Sequence, residues 1–377
     1  MKKYLFAAMF FAFPTFGYAG DYFYEYEATA TGFYGYTDYA DSYRSRYKHH
    51  HTPVSAEIVT TAGYRFANGN KLIFGAEAQV ADGKEVEDYN HGEWGENLYV
   101  TYTSEKYGEL TIGQVYNAAY QLAVGAPSVG VLRVNNSPIT DFIANPNWQR
   151  HSRTASYRTL NSTFLNTDAD AFKISYTTPE FYNTKAAFSY TPDSYSQAGL
   201  INKRSRYDNH ASYAAGLYND WDFDYAEIES SLGYAYNHKN NREASAGLSI
   251  YRKGWTLGGS YRQSWTTSHD FALNERADTA YMPEFFDGYR EGHAFNVGVS
   301  YEIGPFKTGL NYFAAYADKT NNKDKIITWA NRFAVNKYAA IYAAGAYAEY
   351  KGDGLIRDNN RGYAAMVGLE LSYAGQK

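Results

Sequence analysis

The feature that most constrains this chain is the way its alternating stretches are joined. Segments in which apolar and polar residues alternate with a period of two recur along almost the whole length, linked in turn by long and by very short connections. The first, 22–37, sets Tyr22, Tyr24, Tyr26, Ala28, Ala30 and Gly32 against Glu25, Glu27, Thr29 and Thr31. The next, 55–66, sets Ile58, Ala62, Tyr64 and Phe66 against Glu57, Thr61 and Arg65. After the turn residues Ala67-Asn68-Gly69-Asn70, 71–81 sets Leu72, Phe74, Ala76, Ala78 and Val80 against Glu77 and Gln79. Sixteen such strands are read near 22–37, 55–66, 71–81, 96–103, 107–115, 171–178, 184–190, 210–218, 225–237, 243–252, 255–264, 292–301, 306–316, 325–335, 338–350 and 362–373. The even-numbered links are two to six residues long, while the odd-numbered ones run from a few residues to more than fifty. An even strand count, tight turns at one end and long loops at the other predict an all-β fold, a transmembrane antiparallel β-barrel with both chain ends on the turn side. A ten-residue strand rises about 33 Å, and a tilt of about 45° reduces its vertical reach to roughly 23 Å, near the apolar band of such barrels.

Which face meets lipid follows from the charges. In 225–237, Ile228, Leu232, Tyr234 and Tyr236 oppose Glu227, Glu229, Ser231 and Gly233, so a slip of one residue would turn both glutamates outward. The same parity puts Thr256, Ser260 and Arg262 inside, opposite Trp255, Leu257 and Tyr261. The alanine-rich segments 325–335 and 338–350 give no face assignment. A soluble sandwich or propeller would use shorter strands and bury one face of each sheet. Here the inward face is polar nearly everywhere, so no dry core is expected, and sixteen strands enclose a lumen too wide for side chains to fill. The 41 tyrosines suit strands and membrane interfaces, and the absence of cysteine excludes disulfides and thiolate metal sites.

The first 19 residues form a separate unit. Lys2 and Lys3 precede an apolar run from Tyr4 to Phe13, and Gly17 and Ala19 offer small residues for cleavage after Ala19. The run is too short to span a membrane, and Pro14 interrupts it. The expected organisation is a signal peptide over 1–19 and one barrel over 20–377, placed in an outer membrane. Losing Lys2 and Lys3 takes the formal charge from −5 to −7, which argues against a nucleic-acid partner.

One connection stands out. After YGELTIGQVY (107–116), the residues from Tyr116 to Leu132 carry no charge, and Gly125, Pro127 and Gly130 break any regular element. Pro138 and Pro146 follow, then Arg150, His151, Arg153 and Arg158. A structureless link this long calls for a function. Folded back into the lumen, where the wall can satisfy its backbone groups, it would set what passes.

YGELTIGQ (107–114), the loop after it, the paired strands AFKISYTTPEFYNTKAAFSY (171–190) and the closing strand GYAAMVGLELSY (362–373) resemble the Gram-negative general porins, trimeric sixteen-stranded outer-membrane proteins. The resemblance runs the length of the chain. It implies a homotrimer in outer-membrane lipid that passes small hydrophilic solutes and ions by diffusion, with a constriction loop at about 116–170 and no cofactor. It also implies a last strand read by the barrel-assembly machinery. Family members set acidic loop residues against basic residues on the facing wall. Here Asp141 is the loop candidate, with Arg133, Arg150, Arg153 and Arg158 nearby in sequence, and Arg65, Glu57, Glu77 and Arg262 project inward by parity. Two departures are Gln114, where many members carry arginine, and Ala374-Gly375-Gln376-Lys377 following the aromatic Tyr373.

Other readings are weaker. His49-His50-His51 lies in the first long loop (38–54), where three consecutive histidines cannot easily face one ion, so a solvated or loop-packing role is expected. No nucleophile–base–orienter set emerges from His210, Ser212 and His293, so catalysis is not expected. Two alternatives to a diffusion channel remain. One is a substrate-specific channel using Tyr99, Tyr116, Tyr120 and Trp148 as an aromatic track, and the other is a closed barrel whose outer loops serve adhesion.

Overall fold

The computed structural model describes residues 20–40, 48–82, 97–135, 142–145, 159–165, 168, 171–192, 211–237, 241–266, 291–318, 320–352 and 359–376. The strands are β1 (Gly20–Tyr39), β2 (His50–His51), β3 (Val54–Phe66), β4 (Lys71–Asp82), β5 (Asn97–Ser104), β6 (Gly108–Gln114), β7 (Phe172–Thr177), β8 (Thr184–Thr191) and β9 (Ser212–Phe223). They continue with β10 (Ala226–Asn237), β11 (Asn241–Arg252), β12 (Trp255–Thr266), β13 (Gly292–Ile303), β14 (Phe306–Ala317), β15 (Lys323–Asn336), β16 (Ala339–Lys351) and β17 (Asn360–Gln376). One helical turn, α1 (Ala118–Gln121), follows β6. All 17 strands belong to one sheet, and β1 pairs antiparallel with β17 to close it. Every segment read from the alternation is a strand, with ends moved by a few residues. The addition is β2, which pairs with Gly35 and Tyr36 within what reads as a loop.

Tight turns hold one end. Lys253 (φ 47°) and Gly254 (φ 83°) both take positive φ, as a two-residue hairpin turn matched to strand twist requires. The outer face is apolar at mid-height, where Leu232, Leu248, Val297, Leu310 and Val367 are all exposed. Tyr107, Tyr182, Tyr225, Trp255 and Tyr338 are exposed near the turn end. Such a continuous apolar belt would aggregate in water, and it fits a bilayer with an aromatic girdle. β17 runs past Tyr373, pairing Ala374 with Glu27, Gly375 with Tyr26 and Gln376 with Glu25, so these residues extend the closing seam.

One expectation needs correction. The barrel does contain a dry core, inside the lumen and against one side of the wall. Val129, Leu132, Val134, Phe142, Ile143 and Leu160 from the long loop pack on Phe33, Phe313, Ile326, Tyr342, Ala344, Ala346, Ala348 and Met366 of the strands. The alanines that gave no face assignment in β15 and β16 decide this contact: Ile327, Trp329 and Ile341 face out, while Ala330, Ala340, Ala344, Ala346 and Ala348 are buried. An alanine leaves room for a second layer of chain where a larger side chain would fill the space.

Candidate functional site: the loop inside the barrel

After β6 the chain turns into the lumen. Asn117 organises the entry: its Oδ1 accepts from the Tyr120 amide (2.9 Å), while its Nδ2 donates to the Leu165 carbonyl (2.8 Å) and to Asp168 Oδ1 (2.7 Å). One buried side chain thus caps α1 and ties the start of the loop to its return. Ala118 and Ala119 are buried against Gly216 of β9 and Gly233 of β10.

From there the loop follows a rail of small polar side chains on β8, β10, β11 and β13. The Ala118 amide donates to Ser189 Oγ (3.1 Å), the Val124 amide to Ser231 Oγ (2.8 Å) and the Ala126 amide to Asn296 Oδ1 (3.2 Å). Ser249 Oγ donates to the Gly125 carbonyl (2.9 Å). These bonds supply the backbone partners that an irregular segment at membrane depth requires. Glycine makes the approach close, since a Cβ on Gly247 would run into the Val124 carbonyl.

The return path is fixed by charge. Arg262 is fully buried; its NH2 group makes a bidentate contact with Glu243 (2.8 Å to each oxygen), and NH1 donates to the carbonyls of Phe164 (2.7 Å) and Ser162 (3.3 Å). Asp324 accepts from Asn145 Nδ2 (2.8 Å) and Thr159 Oγ1 (2.5 Å). Lys173, also buried, lies 3.9 Å from Asp168 and donates to the Ala171 carbonyl (2.7 Å) and the Val115 carbonyl. On the far side, Tyr39 donates to the Phe142 carbonyl (2.7 Å) and the His51 ring stacks on Phe142 (4.9 Å between centroids). His49 Nδ1 bonds the Thr37 carbonyl (2.7 Å), and no cluster able to hold a metal occurs among the described residues.

The candidate charges separate into groups. Glu57 and Glu77 face inward as diagonal neighbours on β3 and β4, and Arg133 on the loop interacts electrostatically with Glu57. Asn97 donates to Glu77. Arg133 is exposed and also reaches Tyr120 of α1: burial pushes the Tyr120 phenol above its ordinary value, and the guanidinium pulls it part of the way back. Tyr116 stacks on Tyr120 (4.3 Å), and Tyr99 projects from β5 near Glu77. Arg65 does not join this group. It pairs with Asp21 and Lys71 beside the 67–70 turn, about 26 Å along the strand from Glu57 at about 3.3 Å per residue. Arg262 faces inward but presents its charge to the loop and Glu243. Asp141, Arg150, Arg153, Arg158 and Trp148 lie outside the described residues.

Glu27 was absent from the sequence candidates. Parity put it on the wet face, but its height becomes visible only with the register: Glu27 opposes Val59, which opposes Glu77, which opposes Asn97. Three acidic side chains, Glu27, Glu57 and Glu77, therefore occupy neighbouring rows of the inner wall, and the loop's Arg133 acts electrostatically on Glu57 among them.

Comparisons with known proteins agree with this architecture. A search of curated proteins finds no match in sequence. Among solved structures, the anion-selective porin from Comamonas acidovorans superposes with a TM-score of 0.58 at 13% identity, covering 94% of this chain and 100% of that one. A loop-L8 deletion mutant of OmpT, an outer-membrane protein of Vibrio cholerae, gives 0.57 at 12%, with coverage of 94% and 100%. A mutant of Rh. blastica porin gives 0.52 at 12%, with coverage of 93% and 100%. The family model described as Gram-negative porin matches residues 28–353, most of the sequence. The chain belongs to the Gram-negative porin family.

Proposed function

We propose that this outer-membrane porin works as a homotrimer whose aqueous passage is narrowed by the 116–170 loop, between Arg133 and Tyr120 on the loop and Glu57, Glu77 and Tyr99 on the wall. The porin fold serves passive diffusion of small hydrophilic solutes across the outer membrane. The observation that carries the narrowing is the rail from Ser189 to Asn296, which with the apolar contacts on β14–β17 holds the described loop inside the barrel, away from β3–β5. A passage with an acidic wall and an opposed guanidinium favours polar solutes, because an apolar molecule gains nothing for the water it displaces. In this reading residues 1–19 are removed after Ala19, the closing strand β17 is the part recognised during barrel assembly, and lipid covers the apolar belt.

Planar-bilayer conductance of the purified protein tests it. Large stable steps that close in thirds are expected. Correctly folded protein that gives no steps would mean that the loop plugs the barrel, and the reading would fail in favour of an adhesive barrel. A second reading is favoured by the Tyr116–Tyr120 stack, a start of an aromatic track. Liposome swelling with sugars separates the two: uptake graded only by size supports general diffusion, and uptake of one sugar out of size order supports a specific channel.

A further inference from the structure

Among the described residues, lumen-facing charge is distributed unevenly, and its sign is opposite to the arrangement that the general-porin resemblance implies. At the height of the loop, the acids stand on the wall and the base stands on the loop: Glu27, Glu57 and Glu77 on β1, β3 and β4 against Arg133. Nearer the turn end, Asp220 and Asp222 of β9 lie directly across from Glu229 and Glu227 of β10. Like charges directly opposed destabilise a sheet, so this arc is maintained against a structural cost. Tyr218 (2.6 Å) and Tyr251 (2.5 Å) both donate to Glu229, which keeps its carboxylate oriented along the inner wall without supplying a positive charge.

Other described bases are held by acids of their own, although Lys307 and Arg332 line one cavity with Arg133. Lys185 is paired with Glu180 (3.2 Å), Lys307 with Glu302 (3.5 Å) and Arg332 with Glu370 (3.2 Å), so each cancels an acid outside the two arcs. Arg262 and Lys173 are buried beneath the loop against Glu243 and Asp168. Arg65 and Lys71 sit together at the turn end of β3 and β4, with Asp21 opposite Arg65. Arg133 is the described loop base that acts on the wall acid Glu57.

From this we infer that the channel selects cations, and that Glu27, Glu57 and Glu77 on the barrel wall, together with the Asp220, Asp222, Glu227 and Glu229 arc, determine the selectivity, while Arg133 opposes it. This rests on the open-channel reading. Cations entering from the turn end meet the β9–β10 arc first and then pass along the β1–β3–β4 side of the narrowing, away from the loop. The Comamonas acidovorans porin of similar fold is anion-selective. The barrel does not fix the sign of selectivity, because the same parity can place either charge on the wet face.

The experiment is the reversal potential across a KCl gradient for the full-length protein and two variants. A preference for potassium over chloride of about tenfold is expected at 0.1 M salt, falling towards about twofold at 1 M, where the screening length shrinks from about 10 Å to about 3 Å. Glu57→Gln with Glu77→Gln lowers the ratio at 0.1 M by about half or more, and Arg133→Gln raises it, since each removes one side of the opposed field. Conducting channels that prefer chloride, or a ratio unmoved by the double substitution, overturn the selectivity inference alone. Folded protein that does not conduct overturns the open-channel reading and this inference with it. The wild-type potential decides the sign even if a variant fails to fold.

Discussion

At Arg262 the guanidinium points into the barrel and meets Glu243 and two loop carbonyls rather than water. Parity assigned its direction correctly, yet direction alone does not make a pore charge; burial makes it a clamp on the returning loop. Removing one partner of a buried pair leaves the other uncompensated, which costs about 3–5 kcal/mol. Arg262→Ala should therefore loosen the loop around Ser162 and Phe164. Limited proteolysis should show new cleavage within 116–170 while the barrel stays intact, and Glu243→Gln, which keeps a hydrogen-bonding partner for the arginine, should show less. Identical cleavage in wild type and Arg262→Ala would argue that the clamp contributes nothing. The histidine run is similar in kind. Its sequence suggested loop packing or solvation, and its geometry divides it among three duties: His49 bonds the β1 backbone, His50 faces out beside Tyr34 (2.8 Å from its hydroxyl) and His51 stacks on Phe142 inside.

At the scale of elements, the contact between loop and wall depends on the smallest residues. A valine is ordinarily favourable within a strand. At Gly247, however, a Cβ meets the Val124 carbonyl, so Gly247→Val should push the loop off the wall towards the passage at a cost of about 1–3 kcal/mol and lower single-channel conductance. Gly32 is the control, because a Cβ there meets nothing within 4 Å, and Gly32→Val should leave conductance unchanged. Equal conductance in both variants would count against the loop lying where the Ser231 and Ser249 bonds hold it. The alanines of β15 and β16 carry the same lesson. Read singly they look featureless, since alanine is tolerated on either side of a barrel wall; their inward positions matter only because a second layer of chain packs on them.

For the whole molecule, closure is set by β1 meeting β17 along Glu25 to Tyr39. Deleting Ala374–Lys377 removes the rows opposite Glu25, Tyr26 and Glu27, and should lower the yield of folded, heat-resistant barrel without changing the conductance of those that form. Unchanged yield would make the extension dispensable for closure. The sixteen wall strands, the faces of all but the alanine-rich pair 325–335 and 338–350, and the turn side were legible in the sequence, because each residue of a barrel wall is forced to choose between lipid and water and the choice repeats every second position. The loop's entry into the lumen was legible too, from a long uncharged run bracketed by glycine and proline. Hidden from the sequence were heights and partners. Glu27, Glu57 and Glu77 lie on separate strands, and only the register brings them to neighbouring rows, while the same register carries Arg65 away to the turn end. The sequence by itself determined what this wall is made of and which side of it is wet, since that is a matter of local alternation. Only the tertiary structure decided which charges share a passage and which are buried under the loop, because strand stagger and loop path are set by contacts between residues far apart in the chain.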